Sequence, residues 1–202
     1  GTFTYSWEFS INGGTNWNPV PGGVTTATYS APALTADTWY RRVVTSSLNG
    51  FTCSETTPVV IVTVNNFDPG NITADQWICE GDTPASFGSG SPSGDGTFTY
   101  QWQSSLNGST FSNITGATDE TYSAGPLVAD TWYRRLVTST LNGNTCTEAT
   151  AAIKVTVNNL TAGAIGSDQI ICDGTIPAAL TSVSPTYDGV ITYAWHSSTD
   201  GI

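Results

Sequence analysis

The residues of this 202-residue chain equipped for chemistry are few: four cysteines, one histidine and sixteen carboxylates. Cys53, Cys79, Cys146 and Cys172 form no Cys-x-x-Cys pair, and His196 is the only histidine, so the ligand set of a zinc site is missing. Such cysteines favour a disulfide role in an oxidising compartment. With a single histidine, expected on the surface, neither a Ser-His-Asp nor a Cys-His arrangement can recur along the chain.

Glycoside hydrolysis needs two carboxylates facing each other across a cleft about 5 to 10 Å wide. Asp119 and Glu120 are sequence neighbours, and Thr26 and Ala27 stand at the matching earlier positions, so a solvated loop is the preferred reading. Asp75, Glu80 and Asp82, partly echoed by Asp168 and Asp173, raise a junction calcium as a candidate. Their spacing matches no calcium loop; ordinary acidic surface is preferred, and no cofactor is expected. The glycine-rich stretches 88–91 and 94–96 lack the lysine of a phosphate loop and are expected to be turns. The chain is therefore expected not to be an enzyme.

Sixteen acidic against five basic residues give a net charge of -11, which argues against neutralising nucleic-acid phosphates. No apolar run approaches the roughly 20 residues that span a bilayer. Met is absent, so the chain is expected to be an excerpt of a longer polypeptide.

The elements that would position these residues come from an internal repeat. "ADTWYRR" occurs at residues 36–42 and 129–135 and holds four of the five positive charges. Cys53 and Cys146 lie 93 residues apart, as do Cys79 and Cys172, and Trp102 and Trp195. Trp7 is the first copy of that Trp. Cutting at the two "VNN" motifs gives an incomplete repeat over 1–66, a complete one over 67–159, and the start of a third over 160–202.

In the complete repeat, Phe98, Tyr100 and Trp102 alternate with Thr97, Thr99, Gln101 and Gln103 as in a half-buried strand. Asn107-Gly108 is expected to supply two positive-φ residues to a tight hairpin, and a strand carrying Tyr122 is expected over 118–123. Ile153, Val155 and Val157 should face inward, as should Val60, Val62 and Val64. Short strands with frequent turn signals predict an all-β fold: tandem antiparallel Greek-key sandwiches of immunoglobulin or fibronectin type, strung as beads. The spacing of Leu127, Thr131, Tyr133 and Val137 is like a tyrosine corner, and Tyr40 is the earlier counterpart of Tyr133. In such a sandwich the first and last strands run parallel from the same end, which predicts a Cys79–Cys146 disulfide, with the partners of Cys53 and Cys172 outside the chain. Buried free thiols are the alternative.

"ICEGDTPASF" (78–87), "TFTYQWQSS" (97–105), "TWYRRLVTS" (131–139), "TCTEAT" (145–150) and "IKVTVNN" (153–159) together resemble the PKD-like, immunoglobulin-like tandem repeats of giant Bacteroidetes cell-surface proteins, of the SprB-type gliding adhesins. The resemblance implies type 9 export and display as an extracellular filament attached to the outer membrane. It also implies contact with polysaccharide, solid surfaces or other surface proteins, in adhesion or gliding motility. An accessory spacer or carbohydrate-binding module of a secreted polysaccharide-degrading enzyme is the alternative, with Trp17, Trp39, Trp77 or Trp132 as stacking platforms. Alternation along the repeated motif sends Tyr133 and Arg135 inward and Trp132 and Arg134 outward. Arg135 should then sit at the core edge against an aromatic ring or a carboxylate, and Arg134 should lie along the outer face; Arg41 and Arg42 repeat the pair.

Overall fold

β-Branched and aromatic residues at every second position favour extended chain, and the short gaps between such runs favour antiparallel neighbours. The computed structural model describes residues 1–88 and 90–199, and it is all-β, with no helix among the described residues. The chain divides into two compact units: Gly1–Phe67 with Gly94–Gly96 and Thr140–Thr145, and Asp68–Ser93 with Thr97–Ser139 and Cys146–Ile202.

In the first unit, β1 (Thr2–Ser10), β2 (Asn18–Pro19), β3 (Thr38–Leu48) and β4 (Phe51–Thr56) lie in the order β2-β1-β3-β4, and β5 (Val60–Val62) also pairs with β3. Strand β3 is long enough to serve both neighbours along one edge: Tyr40 meets Val60 while Leu48 meets Phe51. The β3–β4 turn is Asn49-Gly50, with φ of 51° and 84°, the signature of a type I′ hairpin.

Two short strands follow, β6 (Phe67–Asp68) and, after β7 (Gln76–Cys79), β8 (Ser93–Gly94), and these pair with each other. The complete repeat is built from β9 (Thr97–Ser105), β10 (Ser112–Asn113), β11 (Thr131–Leu141), β12 (Asn144–Ala149) and β13 (Ile153–Asn158). Its sheet runs β10-β9-β11-β13-β7, with β12 also on β11; β13 and β7 are parallel. Opposite the sheet, Phe87 and Tyr122 exchange two backbone hydrogen bonds of 2.7 and 3.0 Å. The strand expected over 118–123 is reduced to this single bridge.

Between the two layers sits an aromatic core. Phe87 and Trp102 are fully buried, and Phe87 lies 4.6 Å from Tyr133 and 6.0 Å from Trp102 between ring centres. Val137 and Val155 from the sheet are also fully buried. Along β11 every second residue from Thr131 to Ser139 is buried, the pattern of a strand with one face on the core.

Two local expectations are corrected. Of Asn107 and Gly108 only the glycine has positive φ, 70°; Asn107 acts through its side chain, whose Oδ1 accepts the Ser109 and Thr110 N–H groups at 2.9 Å each. The positive-φ Asn-Gly pair of the complete repeat is Asn142-Gly143, φ 50° and 81°, between β11 and β12. Val60 and Val62 are 63% and 40% exposed, whereas their counterparts Ile153 and Val155 are 6% and 0% exposed. The strand that flanks β13, β7, has no counterpart on β5 among the described residues.

Beyond residue 159 two ribbons form: β14 (Leu160–Thr161) with β17 (Thr186–Tyr187), and β15 (Ala164–Ile165) with β16 (Ser182–Val183). Residues 190–195, which end in Trp195, 93 residues after Trp102, form no strand, and Trp195 is exposed.

Candidate functional site

The repeated motif occupies the start of β3 and of β11, where consecutive side chains point to opposite faces. On the outer face, Arg134 donates from Nε to Gln103 Oε1 at 2.7 Å and stacks over Phe111 at 4.1 Å. Arg41 makes the same arrangement with different partners, donating to Glu8 at 2.7 Å and stacking over Trp17 at 4.2 Å. Acceptor and ring have both changed, yet the geometry persists, because the guanidinium needs a planar oxygen and an apolar face and accepts either version.

On the inner face, Arg135 has 0% exposure. Nη1 donates to the Glu120 carbonyl at 2.8 Å, and Nη2 to the carbonyls of Pro69 at 3.0 Å and Gly90 at 2.8 Å. The guanidinium lies 5.2 Å from the Tyr100 ring centre. Backbone oxygens and a ring, rather than a carboxylate hydrogen bond, stabilise the buried charge. Burial lowers the Arg135 pKa, and the charges of Glu120 and Tyr100 oppose that shift. Two glycines shape the cradle: Gly70 adopts φ of 71°, and a Cβ there would lie 2.5 Å from the Gly90 oxygen. In the first unit Arg42 donates to the Ala27 carbonyl at 2.7 Å and lies over Tyr5 and Trp7, at 4.9 and 5.7 Å.

The repeated Trp is held by a matching bond in both repeats. Trp102 Nε1 donates to the Asp119 carbonyl and Trp7 Nε1 to the Thr26 carbonyl, each at 3.0 Å. Asp119 and Glu120 thus contribute backbone oxygens to the fold. Tyr133 and Tyr40 lie on the inner face beside Tyr122 and Tyr29, at 6.1 and 5.8 Å between ring centres. Burial, with a smaller contribution from Tyr122, pushes the Tyr133 pKa up to about 12.

The expected Cys79–Cys146 disulfide is not formed; all four cysteines are free and exposed. Register supplies the reason. First and last strands are indeed parallel neighbours, but Cys79 pairs with Asn158, at the far end of β13, while Cys146 lies near the start of β12. Twelve residues of chain separate that register position from Cys146, roughly 40 Å if extended, against the ~7 Å Cα limit for a disulfide.

The acidic residues serve local structure. Asp75 Oδ1 accepts the Lys154 N–H at 2.8 Å, and Asp82 accepts the Cys79 N–H at 3.3 Å. Asp130 accepts the Val157 N–H at 2.8 Å and pairs with the Lys154 ammonium at 2.6 Å; these bonds, the Lys154 one foremost, lower its pKa. Among the described residues no group of three or more His, Cys, Asp or Glu is placed to hold a metal. His196 is exposed and lies in no strand.

Of the tryptophans considered as sugar platforms, Trp17 is covered by Arg41 and Trp132 by Lys154, whose Nζ is 5.0 Å from the ring centre. Trp77 is 76% exposed and borders a shallow groove of about 450 Å³ lined also by Ile78, Asp82, Thr83 and Asn158. The carbonyl cradle of Arg135 was invisible to sequence reasoning, since every residue carries a carbonyl. The outer Arg–ring pairs had a signal in the cross-strand register of the two repeated motifs.

No helix of the described residues is long and apolar enough to cross a membrane. A comparison with curated proteins finds no match. The family model described as "Domain of unknown function (DUF8696)" matches residues 1–66 and again residues 68–159. The two stretches together take in well over half of the chain, which therefore belongs to the DUF8696 family.

Proposed function

We propose that these repeats are structural and adhesive stalk domains of a very large exported protein, displayed at the cell surface, where they mediate attachment or gliding. The observation that carries this reading is what the repeats keep and what they vary. The arginine that donates to a backbone carbonyl and lies over an aromatic ring, the Trp–carbonyl bond and the outer Arg–ring stack recur, while the half-buried partners on the outer face change between Glu8 and Gln103 and between Trp17 and Phe111. Selection for architecture with a variable surface suits a stalk; a catalytic role would require a repeated reactive group.

A carbohydrate-binding role in a secreted polysaccharide-degrading enzyme rests on Trp77. At the position 93 residues later stands Ile170, so this platform is not a property of the repeat.

Single-molecule pulling separates the structural role from others. Full repeats should unfold in a sawtooth, each rupture releasing roughly 300 Å, the extended length of about 93 residues. Beads coated with the chain should adhere to polysaccharide gels or glass more strongly than beads coated with an unrelated acidic protein. Equal adhesion would refute the adhesive part of the proposal, and retention on soluble glycan that is lost with Trp77→Ala would favour the alternative.

A further inference from the structure

We propose that the Asn142-Gly143 turn of the complete repeat is a site of covalent self-modification. The Gly143 amide nitrogen displaces ammonia from the Asn142 side chain, and water then opens the resulting ring to aspartate or isoaspartate. This goes beyond the stalk reading and does not rest on it.

The complete repeat carries two Asn-Gly dipeptides, Asn107-Gly108 and Asn142-Gly143, each preceded by leucine. Asparagine is chemically labile, and glycine after it leaves the attacking nitrogen unobstructed by a side chain. As sequence the two sites are equivalent. The fold separates them by what restrains the nucleophile and the side-chain amide.

At Asn107 both groups are held. The Gly108 N–H donates to Ser105 Oγ at 3.0 Å. Asn107 Oδ1 accepts the Ser105 hydroxyl at 2.9 Å, the Ser109 N–H at 2.9 Å, the Ser109 hydroxyl at 3.0 Å and the Thr110 N–H at 2.9 Å. A Cβ on Gly108 would lie 3.1 Å from the Trp132 ring, so the glycine is packed against that side chain. Ring closure here must turn the amide away from these donors, free the Gly108 N–H and lift the backbone off Trp132.

At Asn142 these restraints are lifted. Asn142 and Gly143 are exposed and form the centre of the turn, with φ of 50° and 81°. The turn closes between Leu141, which ends β11, and Asn144, which begins β12, and this leaves the Gly143 N–H outside the ladder. Among the described residues no hydrogen bond holds the Asn142 side chain, and a Cβ on Gly143 would meet nothing within 4 Å. The rotation that brings nitrogen to Cγ is therefore opposed by neither packing nor a side-chain bond. The first repeat shows the same division. Asn12 Oδ1 accepts the Ser10 hydroxyl at 2.7 Å and the Asn16 N–H at 3.0 Å, whereas Asn49-Gly50 has φ of 51° and 84° and open space at Gly50.

In the first step the bond from Gly143 N to Asn142 Cγ forms as the bond from Cγ to the amide nitrogen breaks, and the Gly143 proton leaves in the ammonia. Water then cleaves one of the two carbonyl bonds of the ring nitrogen. Cleavage at Cγ gives aspartate; cleavage at the Asn142 main-chain carbonyl gives isoaspartate, whose backbone is one atom longer. Either product adds one negative charge to the net -11. Isoaspartate also lengthens a turn whose two residues set the register of β11 against β12.

Peptide mapping by mass spectrometry after incubation of the 202-residue chain in mildly alkaline buffer tests this. Conversion raises a peptide by one mass unit, and the isoaspartyl form elutes separately. In the folded chain the Asn142 peptide should convert at least about tenfold faster than the Asn107 peptide. In guanidinium, where the fold restrains neither, the two rates should converge. Ser105→Ala, with near-ultraviolet circular dichroism confirming the fold, should raise the Asn107 rate toward that of Asn142. Asn107 converting as fast as Asn142 in the folded chain, Asn142 converting only after unfolding, or a folded Ser105→Ala chain with an unchanged Asn107 rate overturns the inference.

Discussion

Arg135 holds its guanidinium 5.2 Å from the centre of the Tyr100 ring, fully out of contact with water, and donates to three carbonyls. Arg42, at the matching position, is half-buried and, among the described residues, has one such carbonyl, that of Ala27. Arg135→Ala leaves three part-buried carbonyls without this donor and removes a fully buried side chain, and should destabilise the second unit by about 3 kcal/mol. Arg42→Ala should cost about 1 kcal/mol. Arg135→Lys should rescue little, since an ammonium cannot fork between divergent oxygens. Hydrogen exchange of the β11 and β3 amides reads the two effects separately, and equal losses would contradict the assignment.

Lys154 and the Val157 N–H hold the Asp130 carboxyl below its ordinary value. A depressed native pKa contributes stability that is complete above the unfolded value, about 3.9, and is lost as pH falls through the native one. Acid titration followed by tyrosine fluorescence should therefore show a loss of stability beginning below about pH 4. Asp130→Asn should flatten that limb; an unchanged limb would assign it to other carboxylates.

At the alkaline end the sign reverses. Burial raises the Tyr133 pKa to about 12, so the native state resists ionisation that the unfolded chain undergoes near 10. The associated stability, about 3 kcal/mol by linkage, is complete below pH 10 and disappears as pH rises toward 12. Tyr133→Phe should shift the onset of alkaline unfolding upward in a circular-dichroism titration. No shift would mean that another group controls it.

All four thiols are exposed, so a thiol reagent should modify four per chain without denaturant. Melting temperatures with and without a reductant should coincide. Two reactive thiols in the folded chain would restore a disulfide and require a different register for β7.

Much of this architecture was legible in the sequence. Strict alternation in residues 97–105 and 131–139 assigned the inward residues, because the pleat has a period of two and one face must leave water. The same parity placed Arg135 beside Tyr133 and Val137 before any coordinates. The Asn-Gly turns were less legible: Asn107-Gly108 and Asn142-Gly143 look alike as dipeptides. Only the second lies directly between two paired strands, β11 and β12, whose twist favours positive φ at both residues.

Repeat length, strand parity and the motif's recurrence are properties of local spacing, and the sequence determined them alone. Which residues become neighbours across strands was decided by the tertiary structure. The parallel pairing of β7 with β13 was foreseeable, but its register put Cys79 opposite Asn158 and far from Cys146. Burial of Ile153 and exposure of Val60 arise from similar strands in similar motifs. The difference is β7, which lies along β13 and has no counterpart on β5 among the described residues; apolar burial depends on what removes a surface from water, and a strand's own pattern does not report its neighbour.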